Sequence, residues 1–103
     1  MNQPISVKDL VGLLRKDHPG WTDAVLDTEA RSMRETLDPR LAELLARHAR
    51  TGATPDFRSD QLNVLGIRAL RKCSYLEAVR IMDAYLIDHT HGMYLLTRRG
   101  TRA

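Results

Sequence analysis

The residues best suited to bind a metal ion are Asp88, His89 and His91, which lie within four consecutive positions. Carboxylate and imidazole groups are ordinary ligands of zinc. On a regular helix, however, side chains two positions apart diverge by about 200°, so these histidines would not chelate one ion as an H-E-x-x-H pair does. A second region would have to add ligands, and nothing in the spacing requires His48 or Cys73 to do so. We therefore expect histidines that end a helix, with no metal and no cofactor.

Cys73 is the single cysteine of the chain, so an internal disulfide is excluded and a reducing cytoplasm is the expected compartment. It follows Arg71 and Lys72 and precedes a predicted helix start, a positive setting of the kind that activates a thiol. No catalytic partner for it is identifiable, and we interpret it as a small apolar residue in a tight turn. The sequence also lacks a glycine-rich phosphate loop, an acidic calcium loop and a pair of carboxylates in an apolar setting. We therefore predict that the protein is not an enzyme.

Arginine dominates the basic residues: there are 13 arginines and 3 lysines, and the formal net charge is +3. The excess lies in residues 53–103, which hold eight basic and five acidic side chains. Because arginine forms paired hydrogen bonds with phosphate, a nucleic-acid-binding regulator is our alternative function. Its contacts would come from Arg58, Arg68, Arg71, Lys72, Arg98, Arg99 and Arg102. A GC-rich coding bias explains the same composition, and a small charge excess by itself predicts only non-specific association.

Apolar residues at helical spacing predict the elements that position these side chains. A first helix spans about 6–17 and is capped by Ser6. Thr22 caps a second helix, and Asp38 followed by Pro39 begins a third after a kink or restart. The second helix is expected to bury Leu26, Ala30, Met33 and Leu37, and the third continues with Leu41, Leu44, Leu45 and His48.

The second half of the chain predicts two more helices after a surface loop at 51–58. Ser59 and Asp60 are the expected cap of the first of these helices. Its apolar face would consist of Leu62, Leu65, Ala69 and Leu70. Ser74 and Glu77 form an S-x-x-E capping box, so the last helix is expected to begin at this serine.

The short turn between these two helices allows two interpretations, a DNA-binding helix-turn-helix or an antiparallel helical hairpin. The usual turn glycine is missing from 71–74, and Gly66 lies within the preceding helix instead. A recognition helix presents polar or basic residues at its start, whereas this one starts with Tyr75 and Leu76 and offers only Arg80. We favour the helical hairpin.

We predict an all-α, single-domain bundle of four to five helices, arranged as two helical hairpins that pack across the loop. A chain of 103 residues has enough apolar material for one core and little more. The longest apolar runs, 84–87 and 93–96, are four residues each, so no membrane-spanning helix is expected. Residues 93–96 are compatible with a strand, a last helical turn or an extended arm, and 97–103 are expected to form a mobile basic tail.

The last predicted helix is apolar over more of its circumference than one buried face requires, which indicates a central helix or an interface. Its predicted interaction face consists of Tyr75, Val79, Met82, Tyr85 and Leu86, with Tyr94 beyond the helix. We therefore expect a small cytoplasmic interaction or accessory protein. Its partner would be a second copy, which gives a homodimer, or a larger protein.

Overall fold

The computed structural model describes residues 5–87, and five helices lie in this range. They are α1 (Val7–Asp17), α2 (Asp23–Thr36), α3 (Pro39–Thr51), α4 (Val64–Arg71) and α5, which begins at residue 75 and is described to residue 87. The predicted all-α bundle of four to five helices in a single domain is confirmed. No helix within this range has the length and apolar character needed to cross a membrane.

The first three helices begin where the sequence predicts, because each start is encoded by a capping side chain. Ser6 Oγ accepts a hydrogen bond from the Asp9 backbone N–H at 3.0 Å, and Thr22 Oγ1 accepts one from Val25 at 3.3 Å. Asp38 caps α3, with a proline in the first turn, where a missing N–H costs nothing. These caps satisfy backbone donors that have no partner inside the helix.

All five helices contribute to one hydrophobic core. The helix α1 packs against both α2 and α3. The four α2-side residues predicted to be buried, Leu26, Ala30, Met33 and Leu37, all lie in this core. From α3, Leu41 and Leu45 are buried, whereas Leu44 and His48 are only partly covered. The periodic apolar spacing therefore identified the inward faces of these two helices correctly.

The fifth helix is tied to three others by polar contacts as well as by apolar packing. Just before its first turn, the Ser74 hydroxyl donates to Asp17 Oδ2 at the end of α1, at 2.6 Å. Further along, Arg80 lies 3.3 Å from Glu29 of α2. Asp83 Oδ1 accepts the backbone N–H of Asp38, the cap of α3, at 3.0 Å. These contacts make α5 the central element of the bundle.

The predicted start of the fourth helix at Ser59 and Asp60 is wrong. Ser59 Oγ accepts the Leu62 N–H at 3.1 Å and donates to the Leu62 carbonyl at 3.0 Å, so this serine closes a turn instead of starting a helix. The cap is Asn63, whose side-chain oxygen accepts the N–H of Gly66. A Cβ at Gly66 would lie 2.6 Å from that oxygen, so the cap itself accounts for this glycine.

The predicted apolar face of α4 is also wrong, because the helix is rotated relative to the expectation. Val64 and Ile67 are the residues of α4 that enter the core. Leu62 and Leu65 are only partly covered, Ala69 is exposed, and Leu70 is 80% exposed. The core therefore meets the side of the helix that carries Val64 and Ile67, and the end of α4 lies outside it.

The turn between α4 and α5 contains no glycine, and Lys72 adopts the left-handed conformation with φ of 52°. Ser74 Oγ then accepts the Glu77 N–H at 3.1 Å, which confirms that a helix begins here. The first residues of α5 are buried, including Tyr75 and Leu76. A helix whose first turn is packed inside the protein could not present that turn to the bases of DNA, which argues against a helix-turn-helix.

Candidate functional site

Half of the predicted interaction face lies inside the molecule. Tyr75, Val79 and Met82 are 2% exposed or less and belong to the core of this single chain. The core covers these three residues, while Ile87 near the end of the described part of α5 stays exposed. The prediction that these three residues form an interface is therefore wrong, because they belong to the core. Tyr94 lies outside the described residues.

Tyr75 holds the long loop against the helices. Its hydroxyl donates a hydrogen bond to the Pro55 carbonyl, and its ring lies 4.4 Å from the ring of His48, measured between centroids. His48 in turn donates from Nδ1 to the Ala53 carbonyl at 2.6 Å. Burial, with a smaller contribution from the nearby Asp56 carboxylate, raises the pKa of the Tyr75 phenol to about 12.

We expect the raised pKa of Tyr75 to make the fold sensitive to alkali. The unfolded phenol loses its proton near pH 10, whereas the folded one keeps it until about pH 12. The stabilisation of the fold by the protonated Tyr75 phenol is therefore complete below about pH 10 and is lost as the pH rises to about 12. This loss lowers the free energy of unfolding by up to about 2 kcal/mol. Urea unfolding of wild type and Tyr75→Phe at increasing pH measures this.

The variant Tyr75→Phe should lose about 1 kcal/mol at neutral pH, because the loop hydrogen bond is gone, and then show a flatter alkaline profile than wild type. Identical profiles for Tyr75→Phe and wild type would show that another group controls the alkaline transition.

The remaining two helical residues of the predicted face, Tyr85 and Leu86, are partly buried and line an open cleft of about 310 Å³. Phe57 and Arg40 lie on its other side, with the Arg40 guanidinium carbon 4.8 Å from the centroid of the Phe57 ring. Arg58, a predicted nucleic-acid contact, also lines this cleft. The structure thus joins members of the two predicted sites.

The arginines of this cleft are already neutralised by neighbouring carboxylates. Arg40 lies 3.1 Å from Asp38 and Arg58 lies 3.6 Å from Asp56. The Arg40 guanidinium lowers the pKa of the Asp38 carboxyl through its hydrogen bonds, which keeps that carboxylate charged. The cleft therefore has little free positive charge with which to attract a phosphate.

The end of α4, unlike the cleft, consists only of residues that are exposed to solvent. Arg68, Ala69, Leu70 and Arg71 are four consecutive helical residues, and all four are exposed. Successive helical residues are 100° apart, so these four side chains together point in every direction around the axis. The last turn of α4 therefore exposes all of its side chains to solvent at least in part. We call residues 68–72 the α4 tip, since Lys72 ends the helix and is exposed as well.

The α4 tip also carries positive charge that the described part of the chain does not neutralise. Within residues 5–87, no carboxylate lies within 4 Å of Arg68, Arg71 or Lys72. Six other arginines do have such a partner: Arg15, Arg31, Arg40, Arg47, Arg58 and Arg80. The sequence explains the difference, because residues 61–76 contain no acidic side chain.

A purely structural role accounts for part of this charge. Cations in the last turn of a helix interact favourably with its dipole, and both α4 arginines occupy that turn. The dipole does not account for Leu70, because an 80% exposed leucine gains nothing from its position. Singly exposed apolar residues are common on protein surfaces, so Leu70 indicates a binding surface only together with the cations beside it.

The structure separates the seven predicted nucleic-acid contacts. Arg68, Arg71 and Lys72 come together at the α4 tip, and Arg58 lies at the cleft with its own carboxylate partner. The other three, Arg98, Arg99 and Arg102, lie outside the described residues.

The other residues considered for chemistry form no site in the described range. Among residues 5–87, no three His, Cys, Asp or Glu side chains are grouped so that they could hold a metal ion. Asp88, His89 and His91 lie outside that range. Cys73 is a partly buried free thiol in the turn that follows the tip.

Sequence reasoning missed the exposure of Leu70. Asn63 is a good cap, and Val64 and Ile67 behind it have helical spacing, which was a signal for the later helix start. It was no signal for the exposure of Leu70, because a residue three positions after Ile67 lies only about 60° from it around the helix.

Models of protein families, curated proteins and solved structures were all compared with this chain. None matches it.

Proposed function

We propose that the protein is a small, non-enzymatic interaction module that binds a partner protein through the α4 tip. The observation that supports this most strongly is the 80% exposure of Leu70 in the last turn of α4, where Arg68, Ala69 and Arg71 are exposed as well. Complete burial of a leucine side chain is worth roughly 1.5–3 kcal/mol, so a partner with a matching pocket would gain substantial affinity from this one residue.

The support behind the tip favours a binding role. Val64 and Ile67 anchor the first half of α4 in the core, and Asn63 caps it. The Leu65 N–H donates to Asp56 Oδ1 at 3.1 Å, which joins the helix to the preceding loop. A side chain presented on a rigid element loses little conformational entropy when it binds.

The compartment proposed for this activity is the cytoplasm. The one cysteine, Cys73, is free and would remain reduced there.

A nucleic-acid-binding regulator is the second candidate function. The clustering of Arg68, Arg71 and Lys72 on one exposed turn favours it, because phosphate contacts need accessible cations. The burial of the start of α5 removes the helix that would read bases in a helix-turn-helix, so any such binding would be to the phosphate backbone.

Leu70→Ser tests the proposed function. Since the side chain is exposed, the variant should melt within about 2 °C of wild type, while a partner bound through this leucine should be lost. Tagged wild-type and variant proteins are compared for the proteins that they retain from a native lysate. Val25→Ser is the matched control, because Val25 is also an exposed apolar residue, 44% accessible, but lies on α2.

The proposal requires at least one protein that wild type and Val25→Ser retain and Leu70→Ser does not. If all three baits retain the same proteins, the α4 tip is not the binding surface.

A further inference from the structure

We infer that the partner of the α4 tip is a different protein whose apolar pocket is bordered by aspartate or glutamate, and not a second copy of this chain or a nucleic acid. This inference rests on the proposed function and specifies the chemistry of the surface that Leu70 enters.

The charge of the tip calls for acidic groups on the partner. Two arginines and a lysine lie within five consecutive exposed residues, and within residues 5–87 none of them has a carboxylate within 4 Å. The other described cations without such a partner are dispersed over three helices: Lys8 and Lys16 on α1, Arg34 on α2 and Arg50 on α3. Complementary charge at the border of an apolar contact accelerates association and rejects partners of the wrong sign.

Charge argues against a second copy that pairs tip to tip. In a two-fold dimer both subunits use the same patch, and the two α4 tips meet each other where they lie at the symmetry axis. Such a pairing would bring six cations together around the two Leu70 side chains, with no acidic residue between positions 61 and 76 to offset them. Like charges brought together at an interface cost several kcal/mol, which offsets the gain from burying the two leucines.

The leucine argues against a nucleic acid. Phosphate backbones are bound by cationic and hydrogen-bonding side chains. An 80% exposed leucine next to Arg71 would contribute nothing to phosphate binding and would remain in water. An apolar pocket on a protein would bury the leucine, and carboxylates around that pocket would pair with the cations. A protein with acidic residues around an apolar pocket therefore fits the tip best.

Synthetic probes test this chemistry. The first is a helical peptide with leucines at positions i, i+3, i+4 and i+7 and glutamates on both flanks. The second has glutamine in place of every glutamate, and the third probe is a mixed-sequence DNA duplex. Isotope-labelled full-length protein is titrated with each probe at low and at physiological salt. Backbone amide shifts locate binding, and calorimetry gives the affinity.

We expect the acidic peptide to shift amides at 66–73 and to bind at least about tenfold more tightly than the glutamine peptide. Arg68→Gln combined with Arg71→Gln should weaken its binding by about tenfold or more. The matched control combines Arg34→Gln with Arg50→Gln, which removes the same net charge from α2 and α3. Its affinity for the acidic peptide should stay within about twofold of the wild-type affinity. Leu70→Ser should remove binding of both peptides.

Three results would overturn the inference. Equal affinity for the two peptides would show that charge does not select the partner. Tighter binding of the DNA than of the acidic peptide at physiological salt, lost in the α4 double variant, would favour the nucleic-acid hypothesis. A dimer in light scattering that Leu70→Ser dissociates would identify the partner as a second copy.

These failures are distinguishable from failure of the proposed function. Lysate partners that depend on Leu70 but are unaffected by the double variant of Arg68 and Arg71 would support the proposed binding function of the α4 tip. The same result would contradict the inference that the partner's pocket is bordered by acidic residues. If Leu70→Ser changes no lysate partner and no peptide affinity, the module itself is wrong.

Discussion

Replacement of Val79 by aspartate should unfold the protein or lower its free energy of unfolding by about 4 kcal/mol. Val79 is 0% exposed and lies on α5, between the residues that contact the other helices. A carboxylate placed there would have to lose its hydration without gaining a partner, or else take up a proton. Since small domains are stable by only about 5–15 kcal/mol in total, a loss of this size is large. Thermal melts followed by circular dichroism measure it.

Ile87→Asp provides the matched control for this prediction. It introduces the same carboxylate on the same helix, but at a position that is 52% exposed. Its melting temperature should stay within a few degrees of wild type, because an exposed substitution usually changes stability by no more than about 0.5 kcal/mol. An unchanged melting temperature for Val79→Asp would mean that α5 is not the central helix.

Removal of the Ser74 hydroxyl should cost about 2.5–4 kcal/mol, more than the loss of an ordinary helix cap. One part, about 1 kcal/mol, is the cap itself, in which Ser74 Oγ accepts the Glu77 N–H. The rest comes from the bond to Asp17 Oδ2, since hydrogen bonds to charged groups contribute about 1.5–3 kcal/mol. The variant Ser74→Ala thus loosens both the start of α5 and its attachment to α1.

Urea unfolding of Ser74→Ala and Ser6→Ala separates these two contributions. Ser6 caps α1 in the same way, and its variant should lose only about 1 kcal/mol. A double-mutant cycle with Asp17→Asn should show a coupling energy with Ser74→Ala of about 1 kcal/mol or more. If Ser74→Ala and Ser74→Pro are both neutral, no helix begins at residue 75.

The burial of α5 and the exposure of the α4 tip are consequences of the same packing. Tyr75, Val79 and Met82 of α5 are buried in the core, whereas Leu70 of α4 is 80% exposed. Tyr85 and Leu86 remain partly exposed at the cleft, whose arginines are paired with carboxylates. The proposed function consequently moves from the long apolar helix to Leu70 and its charged neighbours.

The sequence by itself determined the helical class and most helix starts. Ser6, Thr22, Asp38 and Ser74 each accept a backbone N–H two or three residues ahead, so the information lies within one turn of the chain. The inward face of α2 was predictable for a related reason, because its residues recur with the helical period and only one side of that helix is apolar.

Only the tertiary structure decided which apolar residues remain outside. Val79 and Leu70 are both apolar residues at helical spacing, yet one is completely buried and the other is 80% exposed. The turn closed by Ser59 delays the start of α4, and a serine can form either a turn or a cap locally. Burial depends on neighbours from distant parts of the chain, as the contact of Ser74 with Asp17 shows. The spacing of residues within one helix does not predict which distant residues will pack against it.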